Sequence, residues 1–193
     1  MKKLWLLIPI IIVVIGIILF NRPSLSNEEA VLSVKVNNDL ILNQDQIIQQ
    51  FAHINKVDYI KARDNLFSED MYDQMINYTF RLIQREITSD DDIQSLLTVF
   101  VVYEDSLAIG VLAASLSPLD SQEEQFFKGS ITAHLINDEH LQVNIKGNFI
   151  QESESTLINT NRNKEDNLVT TSFDMSDVGQ SIGSISFEET INL

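Results

Sequence analysis

The sequence contains no cysteine and only 6 glycines in 193 residues, and its 13 basic residues are outnumbered by 28 acidic ones. Without cysteine there are no disulfides, no thiol nucleophile and no lipobox-type lipid anchor. The few glycines form no phosphate-cradling loop, and no HExxH zinc-hydrolase signature occurs. A net charge of −15 repels phosphate backbones and anionic headgroups, so the chain lacks the electrostatic footprint of a nucleic-acid-binding protein. No cofactor is implied.

What the chain does have is one long apolar run. Lys2 and Lys3 precede Leu4 to Phe20, a stretch with no charged or strongly polar residue. As a helix rising about 1.5 Å per residue it spans roughly 25 Å, near the short end of what crosses a bilayer. Pro9 and Gly16 are tolerated in such helices, and Trp5 sits where an indole favours the headgroup boundary. The run reads as an uncleaved signal anchor over residues 1–20. The alternative is a secretory signal peptide cut after Ser26, but its apolar core exceeds the usual length of about 7–15 residues. Lysines before the span put the N-terminus in the cytoplasm and the remainder outside. With two lysines on the inner side, 11 basic and 28 acidic residues give the outer part a charge of −17. A disulfide-free extracytoplasmic domain rich in isoleucine and asparagine suggests a bacterial cell envelope.

A linker at 21–27 and one extracytoplasmic domain at 28–193 follow. "VLSVKV" (Val31 to Val36) alternates as a half-buried strand. In "LILNQDQIIQQF", Asn43 is a good N-cap with Gln46 placed to complete a capping box, and Ile47, Ile48 and Phe51 share a helical face. "SEDMYDQMINYTFRLIQREI", capped by Ser68, has a broad apolar face and carries Arg81 and Arg85 late, which predicts one long helix. Leu97 to Tyr103 and Leu107 to Leu116 read as a hairpin buried on both faces. In a second hairpin a loop of Asn137, Asp138 and Glu139 brings Ile131, Ala133 and Leu135 opposite Ile145, Val143 and Leu141. The polar stretch Gln151 to Asn167 reads as an exposed loop, and "LVTTSF" and "SISFEETINL" as two more strands. The expected fold class is α+β: the transmembrane helix, then an antiparallel sheet of about six or seven strands with two or three helices on one face.

Three constellations bear on chemistry. "GQSIG", Gly179 to Gly183, fits the G-x-S-x-G pattern of serine hydrolases, but that motif needs a strand–turn–helix elbow with the acid and then the histidine following. Here no histidine follows Ser181, and the residues after it alternate as a strand. "HLINDEH" places His134 and His140 on one polar face, on the order of 7 Å apart as diagonal neighbours, with Asp138 or Glu139 available as a further ligand; the spacing matches no zinc motif. "SDDD", Ser89 to Asp92, lacks the alternating acids and central glycine of a calcium loop and reads as the first turn of a short helix. His53 falls on the polar side of its helix.

These readings lead to a single-pass, membrane-anchored, extracytoplasmic protein that is not an enzyme and binds an envelope protein partner or acts as an accessory subunit. Gln151 to Asn167 is the expected binding region. Two alternatives come from other classes: a carrier of a lipid or apolar ligand, motivated by the doubly apolar hairpin, and an envelope hydrolase using Ser181.

Overall fold

The computed structural model describes residues 41–119, 125–151, 156–163, 166–175 and 179–193. The chain divides into two units, Met1–Lys35 and Val36–Leu193, and every described residue belongs to the second. The apolar run, the linker and the expected strand at Val31 to Val36 lie outside the described residues.

The described part is a mixed α+β fold with three helices and two antiparallel sheets. In chain order the elements are β1 (Ile41–Leu42), α1 (Gln44–Asn55), α2 (Tyr59–Leu66), α3 (Glu69–Gln74), β2 (Thr79–Thr88), β3 (Gln94–Glu104) and β4 (Leu107–Pro118). They continue as β5 (Gln125–Asn137), β6 (His140–Gln151), β7 (Thr156–Asn163), β8 (Leu168–Met175) and β9 (Gln180–Asn192). The first sheet runs β1-β2-β3-β4, and the second β7-β8-β5-β6-β9. The sequence predicts a single sheet of fewer strands; the structure has two.

Alternation along β2 and β3 explains why the first sheet lies in the middle of the stack. Phe80, Leu82, Phe100 and Val102 point to a core shared with the helices. Ile83, Ile87, Leu97, Val99, Val101 and Tyr103 point the other way, into a core shared with the second sheet. A strand apolar in both phases is stable only when covered on both sides, and the β3–β4 hairpin is buried on both faces as its sequence predicts. The second sheet has one such face. Ile131, Ala133, Leu141, Val143, Ile145, Val169, Ile185 and Ile191 turn inward, whereas Thr132, Gln142, Asn144 and Glu188 turn outward and bond one another or Thr170.

The helix layer begins with the capping box. Asn43 Oδ1 accepts from the Gln46 amide at 2.9 Å, and Gln46 Oε1 accepts from the Asn43 amide at 3.0 Å. Ile47, Ile48 and Phe51 are fully buried, with the Phe51 ring edge-on to Phe100 at 5.2 Å. Asp58 caps α2 through the Lys61 amide at 2.9 Å.

The long helix predicted from Ser68 is corrected. Only Glu69–Gln74 is helical, and Thr79–Thr88 pairs with β3 along its whole length, from Thr79↔Tyr103 to Thr88↔Gln94. Apolar residues in both strand phases also satisfy a helical spacing, and the β-branched Thr79, Ile83, Ile87 and Thr88 tip the balance once β3 is present as a partner. Arg81 and Arg85 therefore sit on a strand, and the Arg81 guanidinium lies 4.5 Å from the Tyr103 ring centroid. Ser89 to Asp92 is the turn joining β2 to β3, not a helix start. Ser89 Oγ accepts from the Asp91 and Ile93 amides, and Asp92 has φ +62°.

In the second hairpin the expected register holds, with Ile131↔Ile145, Ala133↔Val143 and Leu135↔Leu141. Its turn is shorter than expected. Asn137 pairs with His140, and Ile136 is the extra residue of a bulge. Gln151 to Asn167 is not a loop throughout: within it Thr156–Asn163 is β7, which pairs with β8 from Thr156↔Met175 to Asn163↔Leu168.

Candidate functional site

An open cleft of about 220 Å³ lies where α3, the first half of β4 and the β7–β8 turn come together. Met71 and Met75 supply one wall from α3 and its C-cap, Val102 comes from β3, and Ile109 to Leu112 form the β4 wall. Across from them are Arg162, Asn163 and, after the turn, Asn167 to Val169. The apolar lip continues onto the surface. Ile109 is 37% exposed, Leu107 54% and Ile76 68%. The register Thr79↔Tyr103↔Ala108 puts the turn carrying Ile76 at the same end of the sheet as Leu107 and Ile109.

Among the described residues Arg162 is the one charged residue in this lining. It reaches the site because β7 is an edge strand whose residues alternate: Ile158, Thr160 and Arg162 turn inward, Asn159, Asn161 and Asn163 outward. One guanidinium nitrogen donates to the Leu112 carbonyl at 3.1 Å and to the carbonyl of Asn65 at the end of α2. Helix-terminal carbonyls have no partner within the helix and carry partial negative charge, so a cation there is favourable. Thr160 Oγ1 donates to Asn65 Oδ1 at 3.5 Å, which ties the same two elements together. The Arg162 Nε is buried without a hydrogen-bond partner.

Among the described residues Arg162 has no acid partner. The ion pairs among the described residues are Lys61–Asp58, Arg63–Asp64 and Lys128–Asp174, all involving exposed side chains. Burial lowers the Arg162 guanidinium to about 10, so it stays a cation at neutral pH. In a chain with 28 acidic residues, a half-buried arginine whose hydrogen bonds among the described residues go to carbonyls stands out. Such a group presents planar donors suited to a carboxylate.

The structure separates the residues singled out in the sequence. Ser181 is exposed on edge strand β9 opposite Ile150, and Ile182 forms a bulge before the Gly183↔Phe149 pair. The motif's glycines are there for packing. A Cβ on Gly179 would lie 2.2 Å from Ile150 Cγ2, and one on Gly183 would lie 2.7 Å from Ile93 Cδ1 and 3.1 Å from Asp91 Oδ2. Close approach at Gly183 lets Asp91 accept from the Ser184 amide at 2.8 Å. His140 lies roughly ten residues from Ile150 on β6, on the order of 30 Å along the ladder from Ser181. His134, opposite Gln142, is at the same remote end, and His53 is exposed on α1 in the helix layer.

His134 and His140 do share the outer face of the second sheet. The His140 Nδ1 lies 2.9 Å from Asn137 Oδ1, and Asp138 and Glu139 form the exposed turn. Among the described residues no three histidine or carboxylate side chains are grouped to hold a metal ion.

Sequence reasoning missed Arg162. The signal was the period-2 placement of Ile158, Thr160 and Arg162 before a turn and a second strand, hidden by the polar residues between them. Comparison of the chain with protein-family models, curated proteins and solved structures gives no match.

Proposed function

We propose that this protein is a single-pass, membrane-anchored, extracytoplasmic binding protein that is not an enzyme, with the cleft beside Arg162 as its binding site. The observation that carries the reading is the cleft itself: largely apolar walls and one half-buried cation with no carboxylate beside it among the described residues. Cavities of this kind, mostly apolar with a few fixed polar groups, are where ligands and partner segments bind. Arg162 lies within Gln151 to Asn167, the region expected from sequence to make contacts. No helix among the described residues is long and apolar enough to cross a membrane, so the tether is assigned to Leu4 to Phe20 on its composition alone.

An apolar-ligand carrier is the second reading, favoured by Met71, Met75, Val102 and Leu112 in the cleft wall. The cores on either side of the first sheet are filled by fully buried side chains such as Phe51, Phe100, Leu97 and Ile145, so cargo would be confined to the cleft and be small.

The tether is tested with a tag after Leu193. In intact cells the tag sediments with membranes and is cut by added trypsin. A tag protected from trypsin, or a soluble product beginning at Asn27, overturns the anchored topology. The cleft is tested separately, with the ligands named below.

A further inference from the structure

We infer that the cleft takes a carboxylate borne on a short apolar chain, with Arg162 receiving the carboxylate. The inference rests on the cleft being a binding site and adds the chemical class of what it holds. Three observations select that class.

Size comes first. At about 30 Å³ for each water-sized group, 220 Å³ holds roughly seven such groups. A hexanoate or one leucine-sized terminal residue fills it, and a longer chain would extend beyond the cleft into solvent.

Charge comes second. Among the described residues no aspartate or glutamate lines the cleft, and the guanidinium donates to two carbonyls while its Nε is buried without a hydrogen-bond partner. An anion is the group that this arrangement leaves unsupplied. A carboxylate has the planar, two-oxygen geometry a guanidinium pairs with best. A cationic or neutral ligand would leave the charge as it stands.

Wall chemistry comes third. Met71, Met75, Val102, Leu112 and Val169 offer thioethers and branched carbons, with Gln74 the polar residue on the α3 side and Asn163 and Asn167 grouped with Arg162, so the part of the ligand away from Arg162 is mainly hydrocarbon. Methionines are well suited to such a wall because they repack around tails of different shape. The strand geometry also leaves space: a Cβ built on Gly110 meets nothing within 4 Å.

Two sources share this chemistry, a free short-chain fatty acid and the C-terminal residue of an apolar peptide. Ligand-observed NMR on the full chain in lipid nanodiscs, with empty nanodiscs as the blank, separates them. The probes are hexanoate, 1-hexanol, hexylamine, and an acetylated peptide ending in Val-Leu as free acid or as amide. Hexanoate binds, and hexanol and hexylamine bind at least roughly tenfold more weakly. Tighter binding of the free-acid peptide than of hexanoate, with the amide silent, identifies a peptide terminus; the reverse order identifies a free acid.

Arg162→Met lowers hexanoate affinity at least roughly tenfold. Because that change also removes the bonds to Asn65 and Leu112, Gly110→Phe is the second variant. It narrows the cleft without touching Arg162 and abolishes binding, while Arg63→Met, outside the cleft, leaves binding intact. Equal binding of hexanoate and hexanol refutes the carboxylate assignment alone. No binding by any probe, or binding unchanged in Gly110→Phe, refutes the cleft as a site and with it the reading above.

Discussion

Two glycines on neighbouring strands, Gly129 and Gly147, face each other in the β5–β6 ladder, and replacing Gly147 with alanine is the sharpest test of the packing described here. A Cβ at Gly147 would sit 2.3 Å from the Lys128 carbonyl oxygen and 2.6 Å from Phe127 Cε2. The oxygen belongs to the backbone, so it cannot swing aside. The Phe127 ring is itself wedged against Phe149 at 6.0 Å and Phe173 at 5.5 Å. The strands must part or the aromatic cluster must shift, and overpacking of this kind costs about 1–3 kcal/mol. With both backbone and ring in the way, we expect the upper end, about 3 kcal/mol. For a domain of this size each kcal/mol lowers Tm by about 2–4 °C, which gives a loss of about 6–12 °C. Gly110→Ala is the control. It also replaces a strand glycine, but its Cβ enters open space, so the lower backbone entropy of the unfolded chain stabilises it by about 0.5–1 kcal/mol. Thermal unfolding of the full chain, followed by near-UV circular dichroism, measures both. A Gly147→Ala protein melting within a degree of the parent, or a Gly110→Ala protein falling as far as Gly147→Ala, refutes the reasoning.

Removing the capping box by Asn43→Ala lowers stability by about 1 kcal/mol, whereas Asn43→Ser retains most of it; chemical denaturation of the two variants measures the difference. Asp91→Ala frees the Ser184 amide, so hydrogen exchange there speeds up while that of Ile145, in the centre of the second sheet, does not change. Hexanoate binding is level from pH 6 to 9, because Arg162 stays charged below about 10, and fails below about pH 5 as the ligand carboxylate takes up a proton; titrations across that range check it. Burial holds the folded-state value of Arg162 below its ordinary one, so its burial penalty is present in full at neutral pH and is relieved only as pH rises above about 10. The stability difference between the parent and Arg162→Met is therefore constant over pH 6 to 9, and denaturation at each pH tests this.

Sequence legibility followed local physics. Asn43 and Gln46 announce their helix because a capping box is complete within four residues. The Ile131–Leu135 and Leu141–Ile145 register was readable because a one-residue slip would turn the apolar set to solvent. The failures came where local pattern was degenerate. Phe80 to Ile87 fits two periods at once, and only its pairing with β3 decides between them. The second sheet escaped for a related reason: whether strands join one sheet or two depends on which apolar faces meet, and alternation alone does not specify the partner. Arg162 was hidden because a polar edge strand looks like a loop, and because nothing in Asn161–Arg162–Asn163 indicates that Leu112 and Asn65 will meet it.

The β3–β4 hairpin has a consequence for how the chain assembles. One of its faces is covered by helices encoded before it, the other by strands encoded after it. A nascent chain that has emerged only as far as Pro118 holds Leu97, Val99, Val101 and Leu116 bare to water, a sticky ribbon with high β-propensity and no charge along its middle. Arrival of the remaining strands is then a race against self-association, and lesions in the second sheet will surface as precipitation during biogenesis sooner than as a loosened but soluble protein.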